Sequence, residues 1–374
     1  MGLGEQQDRR VTNHVEIERA FRTEYGKVVA TLIRQVGDFS LAEDAVQDAV
    51  AAALTNWPDA GVPSNPGAWL TTTARRKAID RLRRQANYDK KLVDLERRVA
   101  ADQQAAVDQA VATMHDDQLS LIFTCCHPAL AIESQVALTL KTLGGLSTEE
   151  IAHAFLTADT TMAQRIVRAK RKIRDAAIPY RVPDREQLPA RVEAVLAVIY
   201  LIFNEGYAAS TGDGVVRTAL CEDAIRLGSA INDLLPGEPD ALGLTALMRL
   251  NHARRLARTK AGRVVLLQDQ DRELWKHDEI AAAAALLDRA IELGRPGPYQ
   301  IQAAIAALHS DAASFADTDW PQIRALYDRL FSMQPSPVVA LNRAVAVAMA
   351  QGNRKGLVAL DEVADDLADY PWYH

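Results

Sequence analysis

Cationic side chains spaced along one helix face are the residues in this chain best suited to chemistry, and that chemistry is contact with a nucleic acid. In Thr160–Arg174, TTMAQRIVRAKRKIR, Arg165, Arg168 and Lys172 recur at intervals of three and four, with Thr161, Gln164 and Arg171 nearby. Such cations hold phosphates, and arginine and glutamine also pair with base edges in a major groove. Met162, Ile166, Ala169 and Ile173 form a separate apolar stripe, so the segment has one face to bury and another to offer. A second basic cluster, Arg75, Arg76, Lys77, Arg81, Arg83 and Arg84, follows a loop flanked by Trp57 and Trp69. Cations there suit a phosphate backbone and aromatics suit unpaired bases. Taken singly, each tryptophan reads first as a core residue.

Other reactive constellations carry less. Cys125-Cys126-His127 invites a metal or redox reading, but adjacent cysteines do not readily share a tetrahedral ion, and the remaining cysteine, Cys221, is far along the chain. Buried packing is the reading for this tripeptide, with no metal site and no cofactor. Glu205, Ser210 and Asp213 stand in Asn204–Ser210 and the Gly-rich stretch after it, without a Gly-x-Ser-x-Gly motif, a nearby histidine or a phosphate loop. That segment reads as a helix-to-loop junction. No catalytic residue is assigned, and the chain is expected not to be an enzyme.

The elements that position the basic clusters are helices. Strand-type alternation is nearly absent and helix-favouring residues fill long periodic segments, so the fold class is all-α. Asn13-His14-Val15-Glu16 and Ser40-Leu41-Ala42-Glu43 fit capping boxes, predicting helices over about His14–Val36 and Leu41–Leu54. In the second, Ala42, Ala45, Val46, Ala49, Val50 and Ala53 form the buried face, and Glu43, Asp44, Gln47 and Asp48 a polar one. Asn56–Pro66 reads as a loop, and Gly67–Arg84 resumes helical periodicity. Asp116–Pro128 and Ile132–Leu143 read as scaffold helices for a helix-turn-helix. Ser147 with Glu150 caps its first helix, and Thr161 with Gln164 is placed to cap the recognition helix.

The chain has 374 residues, 25% charged and 48% hydrophobic, and a net charge of −6, which is unusual for a nucleic-acid binder. Distribution resolves this, because basic residues concentrate in Arg75–Arg84 and Arg165–Arg174 while acids dominate Asp361–Asp369. Charge is screened beyond ~8 Å at physiological salt, so local patches govern phosphate attraction. An acidic whole also suits a protein delivered to DNA by a larger partner. The longest apolar run, Val195–Phe203, is too short to span a bilayer, the N-terminus lacks a signal-peptide core, and three cysteines form no disulfide framework. These features place the protein in the reducing cytoplasm, away from membranes.

Beyond the proline-flanked Ile178–Pro183, Ala-rich helices are predicted after Pro239, Pro298 and Pro337, with Gly262–Leu274 as an inserted hairpin. The spacing is close to that of a helix-pair repeat and looks like tetratricopeptide repeats. Tyr370–His374 ends where another repeat helix is due, which reads as a shortened array.

Taken in order, AEDAVQDAVAAAL (Ala42–Leu54), NPGAWL (Asn65–Leu70), TARRKAIDRLRR (Thr73–Arg84) and the helix-turn-helix of Ser147–Arg174 resemble bacterial extracytoplasmic-function sigma factors. With the C-terminal half, the likeness narrows to the subgroup carrying a fused tetratricopeptide-like extension. The resemblance implies a tail over 1–13, sigma domain 2 over 14–88, a linker over 89–112, sigma domain 4 over 113–178, a linker over 179–190 and a regulatory extension over 191–374. It implies as partners core RNA polymerase, through its beta and beta-prime subunits, and promoter DNA. Asp44, Gln47 and Asp48 match the helix that docks on the polymerase clamp. Asn65 and Trp69 match the loop that captures flipped minus-ten bases, and Arg75, Arg76, Lys77, Arg81 and Arg84 the helix on that element's backbone. Thr161, Gln164, Arg165, Arg168 and Lys172 match the reader of the minus-thirty-five groove. An intramolecular contact between extension and sigma domains is a further expectation. The alternative reading is an operator-binding regulator whose C-terminal half senses a ligand or protein, which leaves Ala42–Leu54 and Trp69–Arg84 unexplained.

Overall fold

The computed structural model describes residues 20–21, 24–84, 107–155, 157–208, 214–260 and 263–361. The predicted tail, the Asn13–Glu16 cap, most of the first linker, Ser210, Asp213 and the final segment lie outside them. The chain divides into two compact units, residues 1–198 and 199–374. Among the described residues nearly everything regular is helical, as the all-α expectation requires; the exception is one two-stranded ribbon.

In the first unit, helix α1 covers residues 24–36 and ends where Gly37 turns left-handed at φ 70°. Helix α2, Phe39–Ala60, begins at Asp38, whose carboxylate accepts from the Leu41 amide at 3.0 Å. This corrects the expected Ser40 cap, because Ser40 lies inside the first turn. The helix also outruns its predicted end at Leu54, carrying Pro58 in its last turn and closing at Gly61, φ 82°. The apolar stripe explains the extension: Ala42, Ala45, Val46, Ala49, Ala53 and Trp57 continue one buried face. The expected eleven-residue loop therefore shrinks to residues 61–65. Helix α3, Pro66–Arg84, packs on α2 with Pro66 at its first position, where a missing N–H is harmless. Gly67 meets Glu24 so closely that a Cβ would fall 2.5 Å from its Oε2.

Helix α4, Val107–Cys125, starts inside the predicted 89–112 linker. Helix α5, Ile132–Thr139, runs on through a π turn, Leu140–Gly144, and ends at left-handed Gly145. The predicted capping box opens α6, Thr148–Ala154: Ser147 Oγ accepts from the Glu150 amide at 3.1 Å, and Glu150 accepts from the Ser147 amide at 2.6 Å. Helix α7, Asp159–Asp175, buries Met162, Ile166, Ala169 and Ile173, the four residues of the predicted stripe. Its N-cap is Ala158, with no side-chain cap bond, so Thr161 lies within the helix and does not cap it.

Helix α8, Leu188–Ala208, reaches into the Asn204–Ser210 segment read as a helix-to-loop junction, and the division between units falls within the helix. In the second unit, α9 (Gly214–Leu234), α10 (Pro239–Ala253), α11 (His277–Glu292), α12 (Pro298–Asp311), α13 (Trp320–Met333), α14 (Pro337–Gln351) and α15 (Asn353–Asp361) each pack on their chain neighbours. Such serial stacking is the construction of a helical array. The three prolines that predicted helix starts are first residues of α10, α12 and α14. Helix α10 is the central one, touching α9, α11 and α12. Gly243 allows that crossing, since a Cβ there would meet the Gln300 backbone at 2.6 Å. The predicted hairpin is displaced toward the N-terminus: Thr259–Lys260 pairs antiparallel with Arg263–Val264, and single 3-10 turns follow at Leu267–Asp269 and Arg272–Leu274.

Candidate nucleic-acid interface

Helix α7 presents its polar residues as the periodicity requires. Thr161, Gln164, Arg168 and Lys172 are exposed, and Arg165 is half-buried. Arg168 Nε folds back onto the Gln164 carbonyl at 3.3 Å, which lines the guanidinium along the helix. Val167 is 64% exposed on this otherwise charged surface, and sequence reasoning passed over it. An exposed apolar residue three positions after Gln164 is the signal that marks it, because a methyl group of thymine is a suitable partner for such a side chain.

On α3, Arg76 and Lys77 are exposed and Arg75 is half-buried, its Nε donating to Gln35 Oε1 at 3.2 Å. Asn65 caps this helix, its Oδ1 accepting from the Ala68 amide at 2.9 Å. Trp57 is in the core, stacked on Phe21 and met edge-on by Trp69 at 5.3 Å, while Trp69 itself is half-buried. Trp69 thus keeps an accessible portion beside the exposed Asn65.

Arg81 departs from the expected pattern. Its guanidinium bonds Asp44 Oδ2 at 2.7 Å and Asp48 Oδ2 at 2.8 Å, joining a residue expected on DNA to two expected on a protein partner. These carboxylates hold the guanidinium above its ordinary pKa, chiefly through the Asp48 hydrogen bond. All three side chains are substantially solvated, so the gain is orientation more than stability. Gln47 is exposed beside them and within hydrogen-bonding reach of Tyr25.

The first unit also brings the two basic helices' supporting domains together. Lys170 of α7 forms an ion pair with Glu43 of α2, a side chain only 5% exposed. Arg34 of α1 pairs with buried Asp117 of α4 at 2.7 Å, and the Tyr180 hydroxyl lies 2.8 Å from the Ala30 carbonyl and 3.1 Å from that of Asp117. The Tyr25 ring packs against Gly145, where a Cβ would approach it to 3.2 Å. Sequence reasoning placed Glu43 on a solvated face and did not single out Lys170. These residues are 127 positions apart, and no local pattern links them.

Cys125 and Cys126 are buried, with Sγ atoms 3.2 Å from Thr142 Oγ1 and 3.6 Å from Thr139 Oγ1. Burial pushes the Cys125 thiol far above its ordinary pKa and that of Cys126 up to about 11, so both stay protonated at neutral pH. His127 Nδ1 accepts from the Ala129 amide at 3.1 Å, a turn contact. Among the described residues no group of three His, Cys, Asp or Glu is placed to hold a metal ion, and no helix is long and apolar enough to cross a membrane.

Residues 20–88 match the family described as sigma-70 region 2, and residues 120–173 match sigma-70, region 4. Residues 191–291 match a family of unknown function, DUF6596. An uncharacterized protein of Rhizobium meliloti (strain 1021) is 44% identical over 354 residues, covering 93% of this chain and 83% of its own length. A probable ECF RNA polymerase sigma factor, SigI, of Mycobacterium tuberculosis (strain CDC 1551 / Oshkosh) is 26% identical over 169 residues, 45% of this chain and 58% of that protein. No solved structure matches the chain.

Proposed function

We propose, for a chain that belongs to the extracytoplasmic-function branch of the sigma-70 factors and carries a fused helical extension, a division of promoter work between α3 and α7. As a sigma factor the protein binds core RNA polymerase and promoter DNA in transcription initiation. In this finer reading residues 14–88 engage the polymerase and the minus-ten element, 113–178 engage the minus-thirty-five element, and 191–374 regulate. The observation that carries it is that α3 and α7 each bury one stripe and hold an exposed cationic stripe on another face.

Asp44, Gln47 and Asp48 meet the beta-prime clamp, with Arg81 bracing both carboxylates instead of reaching for a phosphate. Arg76 and Lys77 hold the minus-ten backbone alongside Arg75 and Arg84. Asn65 and Trp69 receive bases extruded from the duplex. Extrusion costs a few kcal/mol per base, and capture of the flipped base offsets it, so melting proceeds without ATP. Thr161, Gln164, Arg165, Arg168 and Lys172 read the minus-thirty-five groove, with Val167 supplying an apolar contact.

Two promoter elements a helical turn or more apart are separated by at least ~34–36 Å. Domains joined by Glu43–Lys170 and Arg34–Asp117 must therefore part before both elements are held, and binding to the polymerase supplies the energy. The extension, a tetratricopeptide-like array in this reading, sets how readily they part. Replacing both Arg165 and Arg168 by Ala should lower initiation at a minus-thirty-five-dependent promoter by about 10- to 100-fold, the worth of one lost bidentate base contact. Association with core polymerase should be preserved. Unchanged initiation would remove α7 from promoter reading.

A further inference from the structure

The second unit contains a cavity of about 600 Å³ walled by α9, α10 and α11, a size suited to a small ligand. Its charge is arranged along α10 and the 3-10 turn Arg255–Ala257 that follows it. At one end Arg249 donates to Ser229 Oγ of α9 at 3.1 Å. Toward the other end, Arg255 is held by both oxygens of Glu279 at 2.6 and 2.8 Å and lies within electrostatic reach of Glu222. Ser229 and Glu222 are seven residues apart on α9, so the two ends are separated by ~10 Å.

Much of the lining is already compensated. Arg226 pairs with Asp223 at 3.0 Å, Arg255 with Glu279, and His252 is neutral because burial, with Arg255 beside it, lowers its pKa to about 4. Among the described residues, three charged side chains of the lining are in no ion pair, Arg249, Glu222 and Asp278, although Glu222 feels the charge of Arg255. Arg249 Nε is buried and meets no acceptor. Glu222 and Asp278 are exposed at the opposite end and make no hydrogen bond or ion pair among the described residues. Ile225 and Ala282 contribute apolar wall.

A ligand matching this surface carries a carboxylate for Arg249 and an ammonium for Glu222 and Asp278, with ~10 Å between them. The charges of a single α-amino acid are too close together. Each extended residue adds ~3.3–3.6 Å, so two or three residues bridge the distance. We propose that this cavity binds a short peptide of two or three residues through its free amino and carboxyl termini. Capture of chain termini by fixed charges is a recurring mode of peptide recognition. The proposal goes beyond the sigma-factor reading and is tested without polymerase or DNA.

The test is calorimetric titration of trialanine into the full-length chain, with N-acetyl-trialanine and trialanine amide as controls. Saturable binding of one peptide per chain is expected, weakened about tenfold by blocking either terminus and about tenfold by Arg249→Gln. Glu222→Gln with Asp278→Asn alters only exposed side chains and should weaken binding about fivefold while the chain stays folded, as circular dichroism would show. Failure of dialanine, trialanine and tetraalanine to bind saturably overturns the proposal. Binding indifferent to blocked termini and to the double variant overturns it equally.

Discussion

Glu43 and Asp44 are adjacent acids on one helix with opposite circumstances. Asp44 is exposed beside Arg81, whereas Glu43 is buried against Lys170, with its Oε1 meeting no donor. A buried charge that loses its partner costs more than the pair contributes. Lys170→Met should therefore destabilise the first unit by about 3–5 kcal/mol, and Lys170→Met with Glu43→Leu should recover most of that loss. Denaturant titration of the two singles and the double checks this; additive losses would show that the pair does not couple. His252 gives a second expectation at this scale. Its folded pKa of about 4 lies below the ordinary 6.5 because of burial first and Arg255 second. Between pH 6.5 and 4 the unfolded chain takes up a proton that the folded chain refuses, so stability is full above 6.5 and falls on acidification through this window. His309, also lowered to about 4, acts in the same direction. Melting temperatures from pH 8 to 4 should decline below 6.5, and less steeply in His252→Gln; an identical slope in that variant would contradict the assignment.

The elements were the most legible level in the sequence, and the reasons are local. The Met162, Ile166, Ala169, Ile173 stripe, the Ser147–Glu150 cap and the prolines that start α10, α12 and α14 are all fixed within a few residues of chain. The structure differs where tertiary burial overrides a local signal. The α2 stripe carries the helix through Pro58 because Trp57 is needed in the core, and Asp38 displaces Ser40 as its cap. The insertion after α10 was harder still, since long-range contacts hold it. Arg272 Nη1 donates to the His309 and Ala312 carbonyls at 2.9 and 2.7 Å, at the C-terminus of α12, and its guanidinium lies 4.3 Å from the Trp275 ring centre. A cation at a helix C-terminus, two carbonyl acceptors and an aromatic face together predict that Arg272→Ala costs about 2–3 kcal/mol. Hydrogen exchange should show the loss concentrated at the end of α12; uniform protection would contradict it.

At the scale of the whole molecule, the family likeness fixes the two sigma regions, and the candidate site reads from sequence as far as its exposed side chains do. Arg76, Lys77, Gln164 and Arg168 are where periodicity puts them. The tie of Arg81 to Asp44 and Asp48, and the pairing of α7 with α2 through Lys170, come from the packing of separate elements and leave no trace in spacing. They matter because they tie both basic helices, α3 and α7, to α2 within a single packed unit. Whether this chain tells a core polymerase where to begin is decided by mapping transcript 5′ ends. Core enzyme with and without the purified full-length chain would transcribe a randomised promoter library. New start sites preceded by two fixed sequence blocks a constant distance apart are expected. Start sites indistinguishable from those of core enzyme alone would contradict that role.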